Sequence, residues 1–252
     1  METVVVIPTY DEAGNIERLL PLIHTYLPAA RILVLDDGSP DGTADIAEKV
    51  AADLDGARID VVRREEKQGL GAAYRDGFLL ALAGGADIVV QMDADLSHDP
   101  AHLPALVAAV EHGADGAIGS RYVPGGDVEN WPRSRQFLSR WGNRYAAGML
   151  GLAINDATSG FRAYGAPMLR KMDVGSVTAD GYGFQVEMTH RLVRRGGRVV
   201  EIPIVFRDRT EGDSKMSKQI ITEAFGLVNR LALYDLLDGA RRRRHHRRPS
   251  KR

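Results

Sequence analysis

A 252-residue chain without a single cysteine is long enough for one large domain with a proper core, yet it cannot rest on disulfides, a cysteine nucleophile or a thiolate metal site. No uninterrupted apolar run reaches the ~20 residues that span a bilayer, and METVVVIPTY opens directly on an apolar strand, so neither a spanning helix nor a signal peptide is expected. The net charge of -1 hides a split, because RRRRHHRRPSKR at positions 241–252 carries eight of the 33 basic residues and no acid, leaving an acidic body.

From the first residues on, short β-branched runs alternate with helix-length segments. TVVVIP predicts a first strand and NIERLLPLIHTYL an amphipathic helix, and RILVLDD followed by GTADIAEKVAADL repeats the pattern. IDVVRR precedes LGAAYRDGFLLALA, DIVVQMD precedes HLPALVAAVEHG, and DGAIGSR supplies a fifth strand. The strands are apolar on both faces and the connections are long enough for crossover helices. That combination predicts an α/β fold of Rossmann-like type, with a mostly parallel central sheet and helices on both faces.

In such sheets ligands bind at the carboxyl ends of the strands. The first strand ends at Pro8, Thr9, Tyr10, Asp11 and Glu12, the second at Asp36, Asp37, Gly38 and Ser39, the fourth at Asp93 and Asp95, and the fifth at Ser120 and Arg121. Carboxylates therefore gather on one edge. Asp93 and Asp95 stand two apart at the mouth of a buried strand, where residues i and i+2 point the same way and can share one hard cation. Ordinary turn chemistry is the competing reading of the pair. Neither G-x-G-x-x-G after the first strand nor G-x-x-x-x-G-K-[ST] occurs, so a nucleotide held here needs a cation on its diphosphate.

VVIPTYDEAGNI, VLDDGSPDGT, GLGAAYRDGF, MDADLSHDP, GSRYVPGG, TSGFRAY, GYGFQVEM and RTEGDSKM, in this order, resemble the successive motifs of inverting nucleotide-sugar glycosyltransferases. More narrowly they resemble polyprenol monophosphomannose synthases, called dolichol-phosphate mannose synthases where the lipid is dolichol. The resemblance implies a GT-A fold, GDP-mannose as donor, a polyprenyl phosphate lipid as acceptor, and Mg²⁺ or Mn²⁺ as the metal. It implies that Pro8, Tyr10, Glu12 and Asp37 hold base and ribose, with Gly69 also on the donor, and that Asp93 and Asp95 are the metal and donor acids. Ser97 stands where some relatives have a Gln metal ligand, and its neutral hydroxyl is a weaker one. Arg121, Arg135, Arg209 and Lys215 match basic positions near the donor and acceptor phosphates, whereas Arg133 reads as an ordinary surface cation.

A lipid phosphate monoester, with a second pKa near ~6, is largely dianionic at neutral pH and is already a nucleophile, so no general base is expected. The reaction needs instead a metal on the departing diphosphate, cations to bring two anions together, and in-line geometry. His98 accordingly reads as a loop residue. Asp156 and Glu187 are candidate extra acids of the sugar pocket, or else helix caps or partners of Arg162.

Beyond Arg121, the helix-forming stretch with Phe137, Leu138, Trp141, Tyr145 and Met149 reads mostly as core, while Trp131 and Trp141 beside several Arg would suit a membrane headgroup layer. SKQIITEAFGLVNRLALYDLLDG is amphipathic but interrupted by Glu223, Arg230 and Asp235, so it is expected to lie on a bilayer or pack on the domain. The expected division is a catalytic domain over 1–215, an amphipathic helix over 216–238 and a disordered basic tail over 239–252. The tail is read as a solvated end or a contact for an anionic membrane surface, with nucleic acid the less favoured partner. The expected location is the cytoplasm, peripheral on the cytoplasmic face of the membrane, with docking direct or through a membrane-anchoring protein. Two alternatives stay open: a transferase using UDP-glucose or a soluble acceptor, and a non-catalytic nucleotide-binding or phosphoacceptor module.

Overall fold

The computed structural model describes residues 1–208 and 225–237. Alternating strands and helices come first: β1 (Thr3–Thr9), α1 (Ala13–Tyr26), β2 (Arg31–Asp36), α2 (Thr43–Asp53), β3 (Arg58–Arg63), α3 (Leu70–Ala83), β4 (Ile88–Gln91), α4 (Leu103–Glu111) and β5 (Gly116–Ser120). Then follow β6 (Asp127–Glu129), α5 (Arg133–Leu150), β7 (Arg162–Gly165), α6 (Ala166–Lys171), α7 (Gly181–Arg194), β8 (Val199–Pro203) and β9 (Val205–Arg207). The seven-stranded sheet runs β3-β2-β1-β4-β7-β5-β8, and β6 pairs with β9 in a separate two-stranded ribbon.

Strand alternation divides the core into two layers. Val5, Ile7, Ile32, Val34, Ile88 and Val90 face α1, α2 and α4, against Ile16, Leu19, Leu20, Ile23, Leu103 and Leu106. Their neighbours Val4, Val6, Leu33, Leu35 and Val89 face the opposite way, onto Tyr74, Phe78, Met168, Phe184 and Met188 of α3, α6 and α7. This two-sided burial is why the strands read as continuous apolar runs. It confirms the α/β class, with one refinement: β7 lies antiparallel between β4 and β5, while the other pairings of the large sheet are parallel.

The order also fixes where a ligand can enter. From β1 the chain winds outward to β2 and β3, then returns to place β4 on the other side of β1. That reversal opens a crevice at the carboxyl ends of β1 and β4, the point where open α/β sheets bind ligands. Thr9 and the Asp93–Asp95 loop stand at its rim.

A third small cluster joins α5 to α7 and to residues 225–237, which are helical. Val228 is buried there, Tyr145 donates to Asn229 Oδ1 at 2.9 Å, and Asp235 meets His190 and Arg194 of α7 at 2.9 and 2.6 Å. Asp235, read from sequence as an interruption of an apolar stripe, is thus an anchor to the domain. The expected core role of the α5 stripe is corrected: Phe137 is 72% exposed, and Leu138, Trp141 and Met149 are exposed with it. The 3.6-residue period was real, but its face is largely outward: α5 buries Asn143, Ala146 and Leu150, and of the stripe Tyr145 packs against that cluster. The basic tail, Lys218–Ile221 and the motif holding Arg209 and Lys215 lie outside the described residues.

Candidate active site

Asp93 and Asp95 follow β4 directly and form the wall shared by two cavities. Each carboxylate is held by its own neighbours. Tyr74, buried on α3, donates its hydroxyl to Asp93 Oδ1 at 2.6 Å, and the Asp93 backbone N–H donates to His98 Nδ1 at 3.2 Å. Ser97 donates to Asp95 Oδ1 from both its hydroxyl (2.5 Å) and its backbone N–H (3.1 Å). Ser97 therefore sits at the acid pair as the sequence suggests, with its proton committed to Asp95.

His98 is more than a loop residue. It is buried, stacks on Phe161 at 4.9 Å, and orients the Asp93 backbone. Burial pushes its imidazole below the ordinary value despite the nearby acids, so it is neutral and accepts through Nδ1. Burial, then the Asp93 charge, raise the Tyr74 hydroxyl well above its usual range, which keeps it a proton donor to Asp93. Tyr74 escaped the sequence reading because a tyrosine on an amphipathic helix looks like core; its spacing gives no hint of the carboxylate above it.

The larger cavity, about 380 Å³ and within the range of small-molecule sites, runs from the β1 and β2 ends past the acid pair to the start of α7. Pro8, Tyr10, Glu12, Asp37 and Gly69 all line it, so the five residues assigned to the donor by resemblance are brought together with Asp93. Lys67 adds a cation 3.4 Å above the Tyr10 ring, and Arg64 pairs with Asp37 and with Asp76. Gly69 has a positive φ of 98°, and a Cβ there would meet Asp180 Oδ2 at 2.1 Å, so only glycine fits. Asp180 explains the crowding: it accepts from Gly71 N and Gly181 N, tying α3 to α7 across the cavity floor.

The smaller cavity, about 80 Å³, is of a different character. Arg121, Trp131, Arg135, Thr158, Phe206 and Asp208 line it opposite Asp93 and Asp95. Arg121 makes a bidentate pair with Asp156 at 2.7 Å and a bond to Thr158 at 2.9 Å. Burial alone would raise the Asp156 carboxyl, but the Arg121 guanidinium overrides it and holds the acid below its usual range. Asp156 is thus the partner of Arg121 and not of Arg162, which spends its donors on Ser159, Ala157 and Gln185 carbonyls and on Thr189. Glu187 pairs with Arg191 at 2.7 Å and accepts from Ala179 N, outside both cavities.

Arg135 sits over the Trp131 ring, its guanidinium carbon 3.9 Å from the ring centroid, and reaches Asp208 at 3.0 Å. Trp131 is 8% exposed, which rules out a place for it in a lipid headgroup layer. Two buried donors, Trp131 Nε1 and Arg135 Nε, have no partner among the described residues. Both belong to side chains that line the smaller cavity. Arg209 and Lys215 lie outside the described residues.

The acid pair suits a hard divalent cation. Among the described residues no cluster of three or more His, Asp or Glu side chains could hold a metal alone. Two all-oxygen acids at an open cavity fit Mg²⁺ or Mn²⁺, which take one or two carboxylates and complete their shell with water and substrate phosphates.

The family model of glycosyl transferase family 2 matches residues 4–173. The chain is 48% identical to a polyprenol monophosphomannose synthase of Mycolicibacterium smegmatis, over 95% of this chain and 90% of that protein. It is 46% identical to an undecaprenyl-phosphate mannosyltransferase of Micrococcus luteus, over 96% of this chain and 99% of the other. Among solved structures, glucosyl-3-phosphoglycerate synthase from Mycobacterium tuberculosis superposes with a TM-score of 0.68 at 23% identity, covering 90% of this chain and 80% of its own. That likeness carries the fold alone.

Proposed function

The chain belongs to glycosyl transferase family 2, and from that premise we propose that it transfers mannose from GDP-mannose to a polyprenyl phosphate with inversion, giving polyprenyl phosphate mannose and GDP. The observation that carries the reading is the shared wall. A cavity holding the donor residues and a cavity lined by Arg121, Arg135 and Trp131, with Arg135 Nε and Trp131 Nε1 lacking a partner among the described residues, meet at Asp93 and Asp95. A reaction between a sugar diphosphate and a phosphate monoester needs such an arrangement. One anion lies on each side, with the anomeric carbon between them.

Asp93 and Asp95 would hold Mg²⁺ or Mn²⁺, which would supply positive charge to the leaving diphosphate. Tyr74, His98 and Ser97 hold the two carboxylates in place for it, so little reorganisation remains at the moment of transfer. Tyr10, Glu12 and Asp37 hold the nucleoside. On the other side, Arg135, braced by the Trp131 ring, and Arg121, braced by Asp156, draw the acceptor phosphate in. A phosphate oxygen attacks the anomeric carbon while the bond to the diphosphate oxygen breaks, and GDP leaves with the electron pair. No proton has to move, because the acceptor phosphate is already ionised, and His98, which lines the smaller cavity, directs its acceptor nitrogen at Asp93 N.

The lipid chain has a surface to follow. Arg135 opens α5, whose Phe137, Leu138 and Trp141 are exposed, and the helix 225–237 packed beside it exposes Leu233, Tyr234 and Leu236. Among the described residues no helix is long and apolar enough to cross a membrane. The exposed apolar residues of α5 and of the helix 225–237 support peripheral docking on a membrane surface, which we place on the cytoplasmic face, with the basic residues 241–252 adding attraction to anionic lipid. Labelled GDP-mannose and UDP-glucose offered with detergent-solubilised polyprenyl phosphate test the reading. Mannolipid from the first donor and no glucolipid from the second is expected; glucolipid formation, or transfer only to a soluble acceptor, would overturn it.

A further inference from the structure

At the α7 end of the donor cavity one buried group has no role in nucleotide, metal or acceptor binding as described above. Gln185 is 3% exposed and lines the same cavity as Thr158 and Gly160, its backbone linked to the Ala157 carbonyl through Arg162, and its Oε1 has no hydrogen-bond partner among the described residues. A buried carbonyl oxygen left unsatisfied is unfavourable, and such groups persist where a ligand completes them. Its backbone is fixed: Arg162 Nη1 and Thr189 Oγ1 both donate to the Gln185 carbonyl, at 3.1 and 2.9 Å. The preceding residue, Phe184, stacks on Tyr74 at 5.9 Å, and Tyr74 holds Asp93. Gln185 is thereby tied to the frame that positions the metal acids.

We infer that Gln185 reads a hydroxyl of the transferred hexose through its side-chain oxygen and so sets sugar specificity. This rests on the donor reading above. Thr158 and Gly160 line both cavities, and a Cβ on Gly160 would come within 3.1 Å of Asp93 Oδ2, so this turn marks the junction between donor and acceptor sides. The sugar must lie at that junction, because its anomeric carbon has to reach both phosphates. The nucleoside, held at the Tyr10 and Asp37 end, does not. The residue type suits the place. An amide accepts from a hydroxyl without adding a third negative charge beside Asp93 and Asp95, where the diphosphate must also sit. Sites built to hydrogen-bond a hydroxyl reject analogues lacking it far more strongly than apolar pockets do.

The test is binding of GDP and GDP-mannose with Mg²⁺, without acceptor, to the full chain and to Gln185→Met and Gln185→Ala, by calorimetry. GDP affinity is expected to change less than about twofold, while GDP-mannose affinity falls about five- to thirty-fold, the scale of one hydrogen bond to a buried acceptor. A series of GDP-monodeoxymannoses on the wild type reads the same contact without any mutation. One member should lose affinity by a like factor and show no further loss on Gln185→Met. An unchanged ratio of GDP-mannose to GDP affinity in both variants, equal loss of both ligands, or a deoxy series without an outlier would overturn the inference. Failure of the wild type to bind GDP at all would instead remove the donor reading on which it rests.

Discussion

The two cavities that meet at Asp93 and Asp95 handle negative charge in opposite ways. The cavity proposed for the donor has Glu12, Asp37 and Asp180 around it against the single cation Lys67 among its described lining residues, so on this reading it needs an added cation to accept a diphosphate. The cavity proposed for the acceptor carries its cations built in, as guanidinium groups fixed against Trp131 and Asp156. The difference follows from what each substrate brings. A diphosphate can chelate a metal that then leaves with it, whereas a phosphate monoester on a long lipid gains more from rigid bidentate donors that stay with the protein.

The contrast is broken most severely on the metal side. Asp95→Asn should lower transfer by about a thousandfold or more, since several kcal/mol of charge stabilisation on the departing diphosphate are lost. Excess EDTA should do the same to the wild type, and activity persisting in EDTA would remove the metal from the account. Mg²⁺ and Mn²⁺ should each restore turnover, because an open oxygen site discriminates poorly between them.

The acceptor side breaks next through its scaffold. Asp156→Asn leaves Arg121 buried without its counter-charge and should cost about 3–5 kcal/mol of stability in urea melts. Because the folded carboxyl titrates below its unfolded value of 3.8, the pair contributes fully above that pH. Its contribution is lost only as pH falls through the lower folded value, so the gap between wild type and variant should be flat from neutrality down to about pH 5 and close in stronger acid. A gap that narrowed between about pH 7 and 5 would implicate a different group.

Smaller effects separate charge from hydrogen bonding. Arg135→Gln should reduce kcat/KM for lipid phosphate about a hundredfold, as expected when a cation is removed from a desolvated anion contact. Trp131→Phe keeps a ring beneath Arg135 and deletes one N–H, so acceptor KM should rise about tenfold with donor KM unchanged. An unaltered acceptor KM would mean that the indole serves only as a platform.

That the residues of the larger cavity come together was legible in the sequence, because they cluster at strand ends, where local runs such as IPTYDE, VLDDGS and MDADLS expose them. The acceptor side was legible only in part. Arg121 and Arg135 could be matched to motifs, but their partners Asp156 and Asp208 lie 35 and 73 residues away and depend on β7 and β9 being inserted beside β5 and β6. The α5 stripe was misjudged because a 3.6-residue period fixes which residues share a face and says nothing of whether that face meets protein or a lipid surface. Tyr74 and Gln185 were hidden for the same reason, each at a core-like position of an amphipathic helix.

The central claim is that two anions are held by two separate means on either side of one acid pair. Calorimetric titration of wild type, Asp95→Asn and Arg135→Gln with GDP in Mg²⁺, and with a short water-soluble prenyl phosphate, tests it most directly. The account predicts a crossed pattern: Asp95→Asn loses GDP and keeps the prenyl phosphate, and Arg135→Gln does the reverse. Parallel losses of both ligands in both variants would contradict it, and would mean that the two cavities act as one anion site.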